Sequence, residues 1–180
     1  MISESQYWKE ELARWSAFLQ RRMNARKWSD RSHGAVEKAA IFGFFAIRRL
    51  HESGGRLSDE TVALSTNVRS YPRKSDYMTT LNRVEIDRHF DLEHPTQERR
   101  PLLLLMNQFI HSYVFSLVLA PQGGLSSILV CSDWQRTKRC FEVPAISIVR
   151  IFHRASRDNP SRVDARYDAR RRDFIFSAHP

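Results

Sequence analysis

Leu102 to Ala120 reads LLLLMNQFIHSYVFSLVLA, nineteen residues without a formal charge. How this stretch folds decides the architecture. Pro101 precedes it and Pro121-Gln-Gly-Gly124 follows it, residues that start and stop helices. Its polar side chains are Asn107, Gln108, His111, Ser112 and Ser116. Residues 107 and 111 are four apart, as are 108, 112 and 116, so each set stacks along a helix surface. Near-continuous apolarity with one polar stripe predicts a single buried central helix over 102–120 in a soluble domain. The competing reading is a slightly short membrane span that would anchor a membrane-associated protein. Amide, imidazole and hydroxyl groups on one face weigh against it, because such groups are costly facing lipid.

Upstream, Trp8, Leu12, Trp15, Leu19 and Met23 recur at helical spacing and predict an amphipathic helix over 6–28, with Ser5 or Ser3 as its cap. Val36, Ala39, Ala40, Gly43, Ile47 and Leu50 form a second stripe over 35–51, which Phe42, Phe44 and Phe45 widen and Gly54-Gly55 ends. Thr61–Leu64 reads as a short strand or loop, and Ser65–Ser75 as an exposed loop around Pro72. Asn82–Leu92 alternates apolar and polar residues and predicts a partly exposed strand. Downstream, Leu125–Cys131 and Arg139–Val143 predict a hairpin, and Pro144 opens a helix to about 155. The expected fold class is α+β: a helical core of about three helices, including the buried central one, beside a small antiparallel sheet or hairpin. Residues 1–155 form one domain. Residues 156–180 form a basic C-terminal tail, whose i,i+4 charges suit a solvated helix and whose Phe174, Ile175 and Phe176 can dock it.

The chain of 180 residues carries 29 basic and 20 acidic side chains, a net charge of +9, and 24 of the basic residues are Arg. A coding bias toward Arg explains such an excess. So does an anionic partner, because the guanidinium fork matches phosphate and carboxylate. Two Cys exclude a disulfide scaffold and a Cys-only zinc site. Cys131 and Cys140 flank the hairpin turn, face each other across it and stay reduced in a cytoplasmic protein. MISESQYWKE has no secretory pattern, so the expected location is cytoplasmic.

Three constellations bear on function. In the first, His111 has the titration range of a general base and Asn107 could orient a substrate, with Arg100 as the nearest upstream guanidinium. Hydrogen bonding to neighbouring elements explains the same polar stripe. The Asn107/His111 region resembles that of the helical ribonuclease domains called HEPN, over this one segment. That family's Arg-x-His motif implies an Arg a few residues upstream, where this sequence has Leu105-Met106-Asn107. The second group, Asp87, His89, Asp91, Glu93 and His94, offers His89, Asp91 and His94 as metal donors, yet matches no metal motif and reads equally as an acidic strand edge. No metal or other cofactor is expected. The third group sets basic residues among aromatic ones: Arg73 and Lys74 in the 65–75 loop, Trp134, Arg136, Lys138 and Arg139 at the hairpin tip, and Arg166 and Arg170 in the tail.

The sequence holds no Walker A loop, GxGxxG, GxSxG or CxxC. The leading expectation is a small basic binding domain that recognises an anionic partner, nucleic acid or an acidic protein surface. The alternative is a small nuclease or other hydrolase with His111 as general base.

Overall fold

The computed structural model describes residues 2–74 and 77–180, with side chains from Ser5 onward. The first two apolar stripes form α1 (Ile2–Arg22) and α2 (Asp30–Glu52). α1 begins before both Ser3 and Ser5, so neither stands at its cap. α2 starts at Asp30 rather than 35 because Ser29 and Ser32 make a reciprocal capping box. The Ser32 N–H donates to Ser29 Oγ at 3.3 Å, and the Ser29 N–H donates to Ser32 Oγ at 2.7 Å.

The uncharged stretch is not one helix. The middle of the chain folds as α3 (Asp59–Val62), β1 (Ser65–Pro72), α4 (Ile86–His89) and β2 (Thr96–Pro101). Leu102–Ile110 then form α5 and Ser112–Leu119 form β3. Leu, Met and Gln in LLLLMNQ are good helix formers. From 112 the sequence alternates Tyr113, Phe115 and Leu117 with Val114, Ser116 and Val118, the aromatic and β-branched types that suit a pleated surface. Hydropathy is similar in both halves; only the period changes. His111 sits at the switch with φ −109° and ψ 30°. Its N–H still donates to the Asn107 carbonyl at 3.2 Å, while its carbonyl accepts from the Asp133 N–H at 3.2 Å. With α5 only nine residues long, no helix among the described residues is long and apolar enough to cross a membrane.

The expected core of about three helices beside a small hairpin is corrected accordingly. Six helices and two sheets, of five and two strands, are formed among the described residues. With β4 (Leu125–Ser132) and β5 (Arg139–Pro144), the larger sheet has the order β2-β1-β5-β4-β3, every neighbouring pair antiparallel. The loop expected over 65–75 is strand β1 as far as Pro72, in which Thr66, Val68 and Ser70 alternate with Asn67, Arg69 and Tyr71; Ser75 lies outside the described residues. Of Thr61–Leu64, Thr61 and Val62 form the second half of α3, which Ser58 caps by accepting from the Thr61 N–H at 3.3 Å, and Ala63 and Leu64 lead from it into β1. Asn82–Leu92 is a turn leading into α4 instead of a strand. Ile86, His89 and Phe90 are buried there while Val84 is 79% exposed, a pattern no strand alternation would produce. α6 (Ala145–Arg157) follows Pro144. The tail is not a helix but a hairpin, β6 (Arg162–Asp168) paired with β7 (Asp173–His179).

Helices α1, α2, α5 and α6 cover one face of the five-stranded sheet. Leu12, Leu19, Ile47, Phe109 and Phe152 join Val68, Ile128, Val130, Phe141 and Val143 in the main core. Phe44 is its centre, stacked on Phe109 at 4.3 Å and edge-on to Phe152 at 5.1 Å. The opposite face bears a smaller core of Tyr71, Val114, Leu129, Cys131 and Cys140, on which Met78, Ile86 and Phe90 pack. Both Cys are free and fully buried; Val130 pairs with Phe141, so the next step of that register sets Cys131 against Cys140. Burial first, and hydrogen bonding with Cys131 second, push the Cys140 thiol up.

The C-terminal hairpin docks through glycine. Gly54 and Gly55 have φ of 64° and 63°, and Phe176 and Val163 fill the places where their Cβ atoms would stand. Buried Lys9 ties the first helix to the segment before the hairpin, its ammonium donating to the Asn159 side chain at 3.0 Å and to the Asp158 carbonyl at 2.5 Å. The Asp158 carboxylate in turn accepts from the Ser58 N–H at 2.6 Å.

Gly43 offers a test of this packing. Alanine there would gain about 1 kcal/mol from helix propensity alone. A Cβ at Gly43 would, however, stand 2.2 Å from the buried Phe152 ring. Overpacking of that kind costs about 1–3 kcal/mol. Gly43→Ala is therefore expected to lower the melting temperature; an unchanged or raised value would contradict the packing of α2 on α6.

Candidate functional site

The last turn of α5, the end of α2 and the start of the β4–β5 loop enclose a cleft of about 640 Å³. Asn107 and His111 reach it from successive turns of the helix. Gln108 turns inward instead, and its buried amide oxygen accepts from the Ser132 N–H at 2.9 Å. That bond sets the end of α5 against the end of β4 and aims the loop carrying Asp133 and Trp134 at His111.

The arginine beside His111 is Arg48 of α2, not Arg100. One Arg48 Nη lies 3.5 Å from Asn107 Oδ1 and 3.5 Å from His111 Nε2, the outer limit of hydrogen bonding. Its Nε is paired with Glu52 at 2.7 Å. Arg100 lies in edge strand β2, paired with Glu98 and over the Phe141 ring at 5.5 Å. The helical context implied by the resemblance at Asn107/His111 is also missing, since the chain turns into a strand directly after His111.

The basic residues divide into two groups. Trp134 is 80% exposed, with the Lys138 ammonium 5.9 Å from its ring centroid. Arg136 pairs with Asp133 at 2.9 Å and lies over Tyr113 at 4.3 Å, and Arg83 approaches the same ring at 5.4 Å. Arg73 stacks on Phe90 at 5.3 Å and its N–H donates to the Lys138 carbonyl at 3.0 Å; the Lys74 N–H donates to the His89 carbonyl at 2.9 Å. This group gathers round the β4–β5 loop. Arg139 is drawn off by Glu98, at 2.6 Å. Arg166 and Arg170 belong to the separate C-terminal hairpin.

The acidic and histidine group at 87–94 does not assemble. His89 is buried, its Nε2 3.0 Å from the Asn82 carbonyl. Asp91 faces His94 at 2.9 Å, and that hydrogen bond holds its carboxyl below the ordinary range. No group of three possible ligands that could hold a metal ion occurs among the described residues.

Sequence reasoning passed over Glu142. It is buried on the second face of the sheet, accepting from Tyr71, from Ser127 and, at 3.4 Å, from Arg69. A lone acid inside the strand Arg-Cys-Phe-Glu-Val-Pro was its available signal. A cavity of about 220 Å³ adjoins it, lined by Asn67, Arg69, Gln97 and Ser127 among others.

No protein-family model, curated protein or solved structure matches this chain.

Burial, and then the hydrogen bond to Glu142, push the Tyr71 phenol up to about 12 from an ordinary value of 10.0. A phenol raised on folding contributes stability that is complete below its unfolded pKa and lost as pH rises through its folded pKa. Absorbance titration should therefore show one of the five tyrosines ionising last, near pH 12. Tyr71→Phe should remove that step and flatten the stability loss between about pH 10 and 12; persistence of the late step would contradict the Tyr71–Glu142 contact.

Proposed function

We propose that the protein binds single-stranded nucleic acid across the cleft at the end of α5. The observation that carries this reading is Trp134, an indole 80% exposed beside Lys138 at the mouth of a cleft that holds Arg48, Asn107 and His111. An exposed indole next to an ammonium gains nothing for the fold, but suits a base stacked on its face with a phosphate alongside. The Asn107 amide offers hydrogen bonds to a base edge, and Arg48 offers its guanidinium to a phosphate. Arg73, Lys74, Arg83 and Arg136 extend positive charge along the same loop, in a chain of net charge +9.

A second reading uses the same cleft for phosphodiester cleavage. The proximity of Arg48 to His111 Nε2 favours it, because the imidazole could take the proton of an attacking hydroxyl while the guanidinium holds the phosphate.

Two measurements test these readings. Titration of labelled single- and double-stranded RNA and DNA at two salt concentrations should show preference for single strands, with affinity falling steeply as salt rises. Trp134→Ala should weaken binding by about 1–3 kcal/mol with an unchanged melting curve. Absence of binding at low salt removes the first reading. For the second, incubation with oligonucleotides should give cleavage that His111→Ala abolishes while the fold stays intact; an inactive wild-type protein, with a His111→Ala variant that only melts earlier, leaves His111 a structural residue.

A further inference from the structure

We infer that the Trp134 cleft and a second cavity beneath the C-terminal hairpin are two ends of one track, which makes the ligand a polynucleotide strand and not a mononucleotide. The inference rests on the nucleic-acid reading above. The second cavity, of about 400 Å³, lies between the end of α2 and the hairpin, with His51, Glu52, Arg171 and Phe174 in its wall. Glu52 borders this cavity, and Arg48, one helical turn earlier, borders the Trp134 cleft. The two side chains join at 2.7 Å. The ridge between the cavities therefore includes one exposed ion pair, a contact worth little in water and open to exchange for a phosphate.

The hairpin is built as a second platform. One of its faces is apolar, with Val163, Ala165 and Tyr167 opposite Ala178, Phe176 and Phe174. Its inner end is docked, since Ala178 is buried and Val163 and Phe176 pack over Gly55 and Gly54. Its outer end overhangs. Tyr167 and Phe174 meet edge to face at 5.5 Å and remain 56% and 55% exposed. The turn beside them carries Arg170, Arg171 and Arg172. Asp168 in that turn accepts from the backbone N–H groups of Arg170 and Arg171, and no carboxylate among the described residues pairs with the three guanidinium groups. Arg171 and Phe174 line the second cavity together, in a wall that also holds Glu52, Asp59 and Asp173, and so set a cation and an aromatic ring at one cavity as Lys138 and Trp134 do at the other. A strand long enough to reach both platforms makes its second contact intramolecularly, and so gains affinity in a step.

Uridine monophosphate and oligouridylates of stepwise increasing length are the probes, titrated at low salt into the full chain. Affinity should rise abruptly once the oligomer spans both cavities. Arg171→Glu and Phe174→Ala should each remove about five- to hundredfold of that gain and leave short oligomers unaffected. Glu52→Gln should tighten long oligomers by freeing Arg48, a gain that misfolding cannot mimic. A monophosphate that binds as tightly as the long oligomers overturns the track. So does a length step that neither hairpin variant changes, and if Trp134→Ala still weakens short oligomers the binding reading survives that failure. Absence of binding by every probe removes both.

Discussion

The buried amide of Gln108 accepts from the Ser132 N–H at 2.9 Å, and the chain's change of direction is organised around that contact. α5 ends two residues later, β3 begins at Ser112, and Ser112 pairs with Ser132 at the end of β4. Helix end, strand start and loop start are thus fixed at one point. A polar side chain buried there must be satisfied or cost stability. The Ser132 amide satisfies it only if the helix stops and the strand starts where they do. The same point sets Asp133 and Trp134 opposite His111, so the cleft follows from the way the helix ends.

The two N-terminal helices were legible because their apolar residues repeat at one period over many turns. The β4–β5 hairpin was legible from its two short β-rich runs. Residues 102–120 misled because hydropathy is continuous across a change of period. LLLLMNQ has helix-forming side chains and SYVFSLVL alternates, but both are uncharged, and a window spanning them sees one buried object. β1 failed for the opposite reason. Ser65–Pro72 is polar enough to pass for a loop, since its alternate residues meet a sheet face that is only partly covered. The tail misled through its charges: Asp158 with Arg162 and Asp168 with Arg172 stand at the i,i+4 spacing of helical ion pairs, but on β6 Arg162, Asp164, Arg166 and Asp168 form the polar side of a two-residue alternation.

The candidate site was half legible. His111 and Asn107 stood out as polar groups in an apolar run, and Trp134 with Lys138 as an aromatic among bases. Arg48 could not be found, because nothing local separates it from the other 23 arginines; only the approach of α2 to α5 brings it to His111. Glu142 was hidden likewise, since its partners Tyr71 and Ser127 come from two other strands. Tertiary proximity decides both cases.

The bond from Lys9 to Asp158 has a consequence for synthesis of the chain. It spans 149 residues, and α1 packs along α6, which ends at Arg157. α1 thus leaves the ribosome before every other element described and is among the last of them to find its full set of partners. At about 5–20 residues per second, the interval between the two partners is roughly 7–30 s. Throughout that time α2 is already made and can cover part of α1 through Trp8–Phe45 and Trp15–Phe42, while the surface of α1 that packs on α6 has no native partner.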